Sequence, residues 1–233
     1  MHKGIFITGT DTGVGKTFVA TGLLKALREL GHDVCPMKPL ETGCRFRKGE
    51  LVPEDTLKLI KAARIKEPLD LINPYRFRQP LAPAIAAEAE GRVISRKRII
   101  SSYRKLSNRH NMIIVEGAGG IMVPVKKKYF IIDLVKDLNL PVLVVARAGL
   151  GTLNHTLLTL EAAKNRGTEV AGVMINCSSK IKNDASIRTN PEVIERSGGV
   201  PVVGTVPYFG DNNAYNYKKI FLKIAQEVLS KIK

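Results

Sequence analysis

The sequence predicts a single α/β domain in which a mostly parallel β-sheet carries helices on both faces. Short apolar runs alternate with longer segments of helical periodicity from one end of the chain to the other. The apolar runs are continuous, which is typical of parallel strands that are buried on both sides. No repeat, low-complexity tract or linker divides residues 1–233. Because such sheets bind ligands beyond the carboxyl ends of their strands, the residues that follow the strands are the candidates for function.

The elements are predicted in chain order from periodicity and from turn residues. Residues 4–9 form an apolar, β-branched run that ends in a glycine-rich loop, as expected of a first strand. Between Lys16 and Leu30 apolar residues recur every three to four positions, and Gly31 ends the predicted helix. Further strands are predicted at residues 34–38, 112–115, 141–146, 170–175 and 200–206. Further helices are predicted at residues 54–64, 82–90, 96–107, 131–138, 152–166, 191–197 and 214–232.

Composition excludes several classes of protein. With 44% apolar and 25% charged residues, the chain is neither disordered nor fibrous. No apolar run approaches the ~18 residues of a membrane span, and the N-terminus lacks a signal-peptide pattern. Cys35, Cys44 and Cys177 form no C-x-x-C pair, which argues against a disulfide framework or a zinc knuckle. We therefore expect a cytoplasmic protein without a membrane partner.

The net charge is the unusual feature of the composition. Thirty-seven basic and 21 acidic residues give a formal net charge of +16. Such a charge attracts polyanions, so nucleic acid is one candidate partner. The basic residues are spread along the chain, however, and the densest groups are only residues 45–48, 96–98 and 126–128. We expect a solvated basic surface that attracts small anions, and no nucleic-acid partner.

The strongest motif is a glycine-rich loop, Gly9–Thr17, between the first strand and the first helix. Backbone N–H groups of such a loop and the positive end of the helix bind phosphate oxygens. Lys16 can reach the β- and γ-phosphates, and the Thr17 hydroxyl can bind Mg²⁺. Five residues, one more than usual, separate Gly9 from Gly15, and Thr10 stands where the first glycine of the common pattern would be. The motif predicts nucleotide binding.

Charged residues follow two other strands. Glu116 ends the run 112–115, where a carboxylate can hold Mg²⁺ beside a phosphate loop. Lys38 ends the predicted strand 34–38 and should project from the same edge as Lys16, where two ammonium groups would stabilise a transferring phosphoryl group. Asp55 opens a helix, and it either caps that helix or donates a carboxylate to the metal.

Two further features lie at predicted strand ends. Asn176 closes the run 170–175, and its amide either pairs with an adenine edge or caps a turn. The segment 149–154 joins a strand to a helix, and its free N–H groups form a second potential anion site suited to a carboxylate. His155, just inside that helix, is interpreted as a packed or capping residue.

Taken together, these motifs resemble the dethiobiotin synthetase family. The resemblance covers almost the whole chain and is specific through the combination of its stretches, which are Gly9–Thr17, Lys38-Pro39 with Thr42-Gly43, Asp55, Asn73-Pro74-Tyr75, Val115–Gly120, Gly151–His155 and Asn176. It implies a P-loop NTPase-like fold and a homodimeric carbon–nitrogen ligase of biotin synthesis. The expected reaction joins 7,8-diaminononanoate and CO₂ at the expense of ATP, with Mg²⁺.

The resemblance also implies roles for individual residues. Lys38 and Lys16 would be catalytic, with Lys38 on the carbamate. The metal would be held by Thr17, Asp55 and Glu116. Thr12, Lys38 and Thr42 would line the diamine site, and Gly151, Thr152, Leu153 and Asn154 would receive the substrate carboxylate across the dimer interface. ATP contacts are expected at Gly13, Val14, Gly15, Lys16, Thr17, Phe18, Asp55, Glu116, Gly117, Ala118, Gly119 and Asn176, and at Pro207, Tyr208 and Phe209 around adenine.

Some features depart from the family pattern or leave alternatives open. Gly13 stands where relatives can carry Glu, and Thr42 stands where they often carry Ser. Glu54 competes with Asp55 for the metal. The main rival function is that of a dimeric partition or positioning ATPase, a class that carries a lysine early in its phosphate loop. The corresponding residue here is Asp11, which weakens that alternative.

Overall fold

The computed structural model describes residues 4–179, 184–209 and 214–232. The strands are β1 (Gly4–Gly9), β2 (Val34–Met37), β3 (Leu40–Glu41), β4 (Arg45–Arg47), β5 (Glu50–Val52), β6 (Tyr75–Arg76), β7 (Met112–Gly120), β8 (Pro124–Lys126), β9 (Tyr129–Phe130), β10 (Val142–Arg147), β11 (Val170–Asn176) and β12 (Val202–Val206). The helices are α1 (Lys16–Glu29), α2 (Glu54–Ala63), α3 (Leu69–Ile72), α4 (Pro83–Ala89), α5 (Arg96–Ser107), α6 (Ile131–Leu138), α7 (Thr152–Asn165), α8 (Ser186–Gly198) and α9 (Ala214–Lys231).

A six-stranded sheet forms the centre of the molecule, in the order β12-β11-β10-β1-β7-β2. Every neighbouring pair in this sheet is parallel. All six carboxyl ends therefore lie at one edge, and β1, which leads into the phosphate loop, lies between β10 and β7. The α/β fold class predicted from the sequence is confirmed.

The sheet is covered on both faces because its strands are apolar on both sides. On one face Ile5 and Ile7 of β1 pack in a buried cluster with residues of α1, α2 and α9. On the other face Phe6 belongs to a second cluster with residues of α5, α6 and α8. Burying two such layers is the main stabilising contribution, at roughly 25 cal/mol per Å² of apolar surface. The layers hold the strand ends, and therefore the site, in place.

Strand β7 is longer than its apolar run predicted. It continues through Glu116 to Gly120, and its register against β1 shifts between the pairs Ile7–Glu116 and Gly9–Gly120. Four residues of β7 therefore oppose two of β1, so residues 117–119 bulge out of the ladder. Gly119 has φ +66°, and a Cβ there would lie 2.8 Å from Cγ2 of Val123. The glycines allow this bulge.

Other differences from the sequence prediction are local. Helix α8 begins at Ser186, five residues before the predicted 191–197, although Pro191 lies inside it. The short pairs β3–β6, β4–β5 and β8–β9 and the one-turn helix α3 were not predicted, because segments of two to four residues carry too little periodicity. Among the described residues, no helix is long and apolar enough to cross a membrane.

Candidate active site

A cavity of about 420 Å³ opens beyond the carboxyl ends of β1, β7 and β2. It lies between the phosphate loop, the bulge of β7 and the first turn of α2. Its lining residues are Thr12, Gly13, Gly15, Lys16, Thr17, Lys38, Leu40, Glu41, Thr42, Asp55, Pro80, Leu81, Ala82, Pro83, Glu116, Gly117, Ala118, Gly119 and Val123. Predicted phosphate, metal and diamine residues thus meet in one place.

The phosphate loop is held by a contact from the end of β11, just before helix α1 begins. Gly15, the N-cap of α1, is left-handed with φ 94°, and no side chain caps the helix. The first N–H groups of α1 are therefore open to an anion. Asn176 Nδ2 donates to the Val14 carbonyl oxygen at 2.9 Å, and a Cβ on Gly15 would lie only 2.1 Å from that nitrogen. Only glycine fits at position 15.

Glu116 is the buried acid at the centre of the site, with 1% of its surface exposed. Its Oε1 accepts hydrogen bonds from Thr17 Oγ1 at 2.7 Å and from Lys38 Nζ. Its Oε2 is buried, with no hydrogen-bond partner in the part of the chain that the structure describes. A buried carboxylate oxygen normally has a partner, so this atom is suited to a cation or to a metal-bound water.

Lys38 is fixed in position by its backbone. Its N–H donates to the Ile72 carbonyl at 2.8 Å, and Asn73 Nδ2 donates to the Lys38 carbonyl at 2.7 Å. The side chain is 7% exposed and pairs with Glu116. Burial disfavours the charged form of Lys38. The negative charge of Glu116 and its hydrogen bond together outweigh burial, so the pKa of Lys38 is raised. The ammonium group stays charged.

Lys16 lies in the same cavity but in a different electrostatic setting. Its Nζ donates to the Asp11 carbonyl oxygen at 3.1 Å. Burial, reinforced by the positive charge of Lys38, lowers the pKa of Lys16 to about 8. Lys16 and Lys38 therefore face the same cavity, where cationic groups can bind the oxygens of a polyphosphate.

Asp55 lines the cavity from the first turn of α2. Its Oδ2 lies 4.0 Å from Lys38 Nζ, and its Oδ1 accepts from Lys58 Nζ at 3.0 Å. Burial disfavours ionisation, but Lys38 and Lys58 together lower the pKa of Asp55. Glu54 faces away, toward Arg45 at 3.5 Å and Arg47 at 3.4 Å. Of the two acids that competed for the metal role, only Asp55 lines the cavity.

Glu41 is a residue of the site that sequence reasoning missed. Its two carboxylate oxygens accept hydrogen bonds from the N–H groups of Asp55 and Thr56, at 2.9 and 3.0 Å, and from Thr56 Oγ1 at 2.6 Å. Burial outweighs these bonds and raises the pKa of Glu41. No local pattern connects Glu41 with a helix that begins 13 residues later, so the sequence carried no signal for this contact.

The residues predicted around adenine lie beside this cavity and not in its lining. Asn176 pairs with Val206 in the sheet, so residues 207–209 follow at the same edge. Phe18 packs against Phe209, with ring centroids 6.4 Å apart, and against Tyr217 at 5.5 Å. The side chain of Val14 is buried in the core, which leaves only its backbone for a ligand. Residues 210–213 lie outside the described part.

The segment predicted to receive a carboxylate lies elsewhere. Gly151, with φ 87°, is the N-cap of α7, and no side chain caps the helix there. Thr152 is fully buried, Leu153 is half-buried and Asn154 is exposed. None of Gly151–Asn154 lines the 420 Å³ cavity of the same chain. Any contact of these residues with the same substrate therefore has to come from a second copy or from a substrate that extends out of the cavity.

The donor set suits Mg²⁺ held together with phosphates. Thr17, Asp55 and Glu116 offer oxygen atoms, which Mg²⁺ prefers, and one of them is the unpartnered Oε2 of Glu116. Across residues 4–179, 184–209 and 214–232, no group of three or more His, Cys, Asp or Glu side chains forms a metal cage by itself. Mg²⁺ usually keeps several waters and is bound through one or two carboxylates together with substrate phosphates.

Comparison with known proteins identifies relatives over most of the chain. A family model described as an AAA domain matches residues 3–214. A protein of Thermodesulfovibrio yellowstonii named ATP-dependent dethiobiotin synthetase BioD is 43% identical over 220 residues, covering 91% of this chain and 92% of that protein. Proteins with the same name from Anaeromyxobacter sp. (strain K) and Methanocaldococcus jannaschii are 46% and 41% identical, covering 90% and 87% of this chain and 92% of each relative.

Solved structures share the fold at low identity. The septum site-determining protein MinD of Pyrococcus horikoshii, complexed with Mg-ADP, matches with a TM-score of 0.64 and 17% identity over 100% of both chains. A ParA family ATPase from Chlorobium tepidum matches with a TM-score of 0.56 and 17% identity over 96% of this chain and 99% of that one. These likenesses show a P-loop NTPase-like fold and carry no argument about activity.

Proposed function

The chain belongs to the family of ATP-dependent dethiobiotin synthetases, and from that premise we propose that it closes the ureido ring of dethiobiotin. The family places it among the ATP-dependent ligases of biotin biosynthesis. The substrates we assign are 7,8-diaminononanoate, CO₂ and ATP. The products are dethiobiotin, ADP and phosphate.

The reaction is assigned three steps. One amine of the substrate adds to CO₂ and loses a proton, which gives a carbamate. A carbamate oxygen then attacks the γ-phosphorus of ATP, the bond to the bridging oxygen breaks, and ADP leaves with a carbamic-phosphoric anhydride in place. Finally the second amine attacks the carbonyl carbon, its proton is released, the C–O bond to phosphate breaks, and the ring closes.

One observation carries this proposal: Lys16 and Lys38 face the same cavity, close enough that Lys38 lowers the pKa of Lys16. Two cations at one sheet edge stabilise the charge on a carbamate and on a transferring phosphoryl group. Lys16 extends from the phosphate loop, so we assign it to the β- and γ-phosphates. Lys38 comes from the opposite wall, so we assign it to the carbamate.

The same charges favour the reactive form of the substrate. Amines react as neutral species, and positive neighbours lower the pKa of an amine. A diamine that enters beside Lys16 and Lys38 therefore loses protons more readily than in water. Thr12 and Thr42 line the cavity with hydroxyl groups that suit such amines.

Mg²⁺ fits the proposal through the oxygen atoms of Thr17, Asp55 and Glu116. When bound, it neutralises charge on the phosphate oxygens. The protein orients these oxygens by its own contacts, since Thr17 donates to Glu116 and Lys58 holds Asp55. Asn176 and the chain after Val206 are assigned to the adenine end of the nucleotide, because they lie at the same edge beside the loop.

We also propose a homodimer in the cytoplasm, in which α7 of one subunit completes the site of the other. Leu150, just before α7, is 89% exposed, and Leu158 within α7 is 58% exposed. Apolar side chains this exposed beside an uncapped helix start suit burial against a second copy. The N–H groups of Gly151, Leu153 and Asn154 would then receive the substrate carboxylate, because the Thr152 N–H already donates to the Gly149 carbonyl at 3.4 Å. Three free cysteines accord with a reducing compartment.

The activity is tested directly with purified protein. ATP, Mg²⁺, the diamine and ¹³C-labelled bicarbonate should yield dethiobiotin that carries one heavy carbon, with one phosphate released per ring closed. Omitting either the diamine or bicarbonate should stop phosphate release. A Lys38→Ala sample is the matched control, because it should still bind nucleotide.

Two results would contradict the proposal. Phosphate release at the same rate without the diamine would mean that ATP hydrolysis is not coupled to ring closure. Strong stimulation of hydrolysis by DNA would instead favour a partition or positioning ATPase, the class that shares the fold at 17% identity. Complementation of a biotin-requiring host by the wild-type gene, and its failure with Lys38→Ala, gives an independent check.

A further inference from the structure

Helix α2 begins without a cap of its own. Its N-cap is Pro53, which has no side-chain hydrogen-bond acceptor, and no side-chain cap bond is formed at that position. The first N–H groups of a helix need partners when they are buried. Thr56 is fully buried at this point of the chain. The partner for this helix start therefore has to come from another element.

Glu41 of β3 supplies that partner. Its Oε1 accepts from the Asp55 N–H at 2.9 Å, while its Oε2 accepts from the Thr56 N–H at 3.0 Å and from Thr56 Oγ1 at 2.6 Å. The carboxylate is 6% exposed and faces the positive end of the helix, where a negative charge is stabilising. Glu41 acts as a cap delivered from a different strand.

This contact decides what Asp55 does. An acid in the first turn of a helix commonly bonds to the free N–H groups of that turn. Because Glu41 satisfies those groups here, the Asp55 carboxylate remains free to face the cavity, 4.0 Å from Lys38 Nζ. Glu41 is also only three residues from Lys38, whose carbonyl is anchored by Asn73. The short segment from Lys38 to Glu41 therefore helps to position both Lys38 and Asp55.

We propose that Glu41 is a positioning residue that holds Asp55 at the metal and phosphate end of the site. It acts through the backbone of Asp55 and Thr56 and not by touching the nucleotide. The inference rests on the proposed role of Asp55 toward Mg²⁺. Groups that orient metal-binding residues typically contribute a factor of 10–100 in metal affinity.

The test is the Mg²⁺ dependence of ADP binding, measured by calorimetry with and without MgCl₂. In Glu41→Gln, one carboxylate oxygen becomes an NH₂ group that faces an N–H donor. We expect the affinity for ADP in Mg²⁺ to fall about tenfold, while the affinity without Mg²⁺ stays within about twofold. Ser95→Ala is the matched control, because Ser95 caps α5 by accepting from the Arg98 N–H at 3.3 Å, away from the site.

A double-mutant cycle separates positioning from general stability. If Glu41 acts through Asp55, the variant Glu41→Gln/Asp55→Asn should lose no more Mg²⁺-dependent affinity than Asp55→Asn alone. Additive losses, or an equal effect in Ser95→Ala, would overturn the inference. Should Glu41→Gln fail to fold, Thr56→Val removes one of the three donors to Glu41 and is expected to show the same loss in weaker form. An unchanged Mg²⁺ dependence in that variant would count against the role.

The readout also separates this inference from the proposed function. ADP binding requires neither the diamine nor CO₂. A wild-type protein that binds Mg-ADP but makes no dethiobiotin would contradict the proposed reaction and leave the Glu41 measurement valid. A wild-type protein that is active, with Glu41→Gln binding Mg-ADP normally, would contradict the Glu41 role alone.

Discussion

Asn176 Nδ2 lies 2.9 Å from the carbonyl oxygen of Val14 and donates a hydrogen bond to it across 162 positions of sequence. The contact joins the end of β11 to the phosphate loop. The amide predicted to read adenine therefore also shapes the phosphate loop. The bond to Val14 uses one of the two N–H groups of the amide, so the second N–H and Oδ1 remain to pair with an acceptor and a donor on the adenine edge.

The first prediction concerns this contact. Asn176→Ala leaves the Val14 carbonyl without its donor, so the free energy of unfolding should fall by about 1 to 3 kcal/mol. Nucleotide affinity should fall as well, because the loop loses its anchor. Chemical denaturation and calorimetry measure the two effects. Full affinity in the variant would show that the loop holds its shape without Asn176.

The second prediction compares two glycines of the loop. Gly13 and Gly15 both have positive φ, at 77° and 94°. A Cβ on Gly15 would lie 2.1 Å from Asn176 Nδ2, whereas a Cβ on Gly13 would have no atom within 4 Å. Gly13→Ala should cost about 1 to 2 kcal/mol of stability from backbone strain. Gly15→Ala should cost more and should reduce ADP affinity further. Equal effects would mean that the contact with Asn176 is unimportant.

The third prediction concerns Lys38. Lys38→Met should abolish ring closure, and it should also destabilise the protein by about 3 to 5 kcal/mol because Glu116 is left buried without its cation. Denaturation curves and phosphate release give the two values. The control is Lys38→Met/Glu116→Gln, which removes both charges and should regain stability without regaining turnover. Turnover in the double variant would exclude a catalytic role for Lys38.

The fourth prediction is a pH dependence that arises from Lys16. Burial and the charge of Lys38 lower the pKa of Lys16 from its ordinary value of 10.5 to about 8, while Glu116, Asp11 and Asp55 oppose that shift. Between these two values the unfolded chain binds more protons, so the free energy of unfolding should rise with pH by at most about 3 kcal/mol. Below pH 8 Lys16 is protonated in both the folded and the unfolded state, so it no longer makes the free energy of unfolding depend on pH.

Unfolding curves from pH 7 to 10.5 check this prediction against Lys16→Met. The other lysines titrate in both proteins, so only the difference between the two curves reports on Lys16. The wild type should gain stability relative to the variant as the pH rises through this window. Parallel curves would mean that Lys16 has an ordinary pKa in the folded protein.

The fifth prediction tests the shared site of the proposed dimer. Asn154→Asp adds a negative charge at the start of α7 and should raise the KM for the diamine at least about tenfold by repelling its carboxylate. Lys38→Ala should be inactive because it lacks the lysine assigned to the carbamate. If each site combines Lys38 of one subunit with α7 of the other, mixed dimers contain one intact site.

Mixing the two variants should therefore restore about a quarter of wild-type activity at low diamine concentration, since half of the dimers are mixed and half of their sites are intact. The measurement is phosphate release after subunit exchange, compared with each variant alone. No recovery, with exchange confirmed by mass, would place α7 and Lys38 of the same chain in one site.

The sequence determined the central layer of this protein because its signals are local. The apolar run 4–9, the periodicity of 16–30 and the glycines of the phosphate loop each act within a few residues, and the structure places them as predicted. Parallel pairing then brings the carboxyl ends of β1, β2 and β7 to one edge, so Lys16, Lys38 and Glu116 converge as a consequence of fold class.

Only the tertiary structure decided how these groups are held. From sequence alone, Asp55 could cap its own helix and Glu54 could face the metal. In the structure Glu41 bonds to the start of that helix. Arg45 and Arg47 lie beside Glu54. The same is true of Asn176, whose amide reaches Val14. These contacts join residues that are distant in sequence, and a hydrogen bond depends on ångström-scale placement of both partners. Local periodicity carries no information about that placement, which is why the convergence of Lys16, Lys38 and Glu116 could be predicted and the contacts that hold them could not.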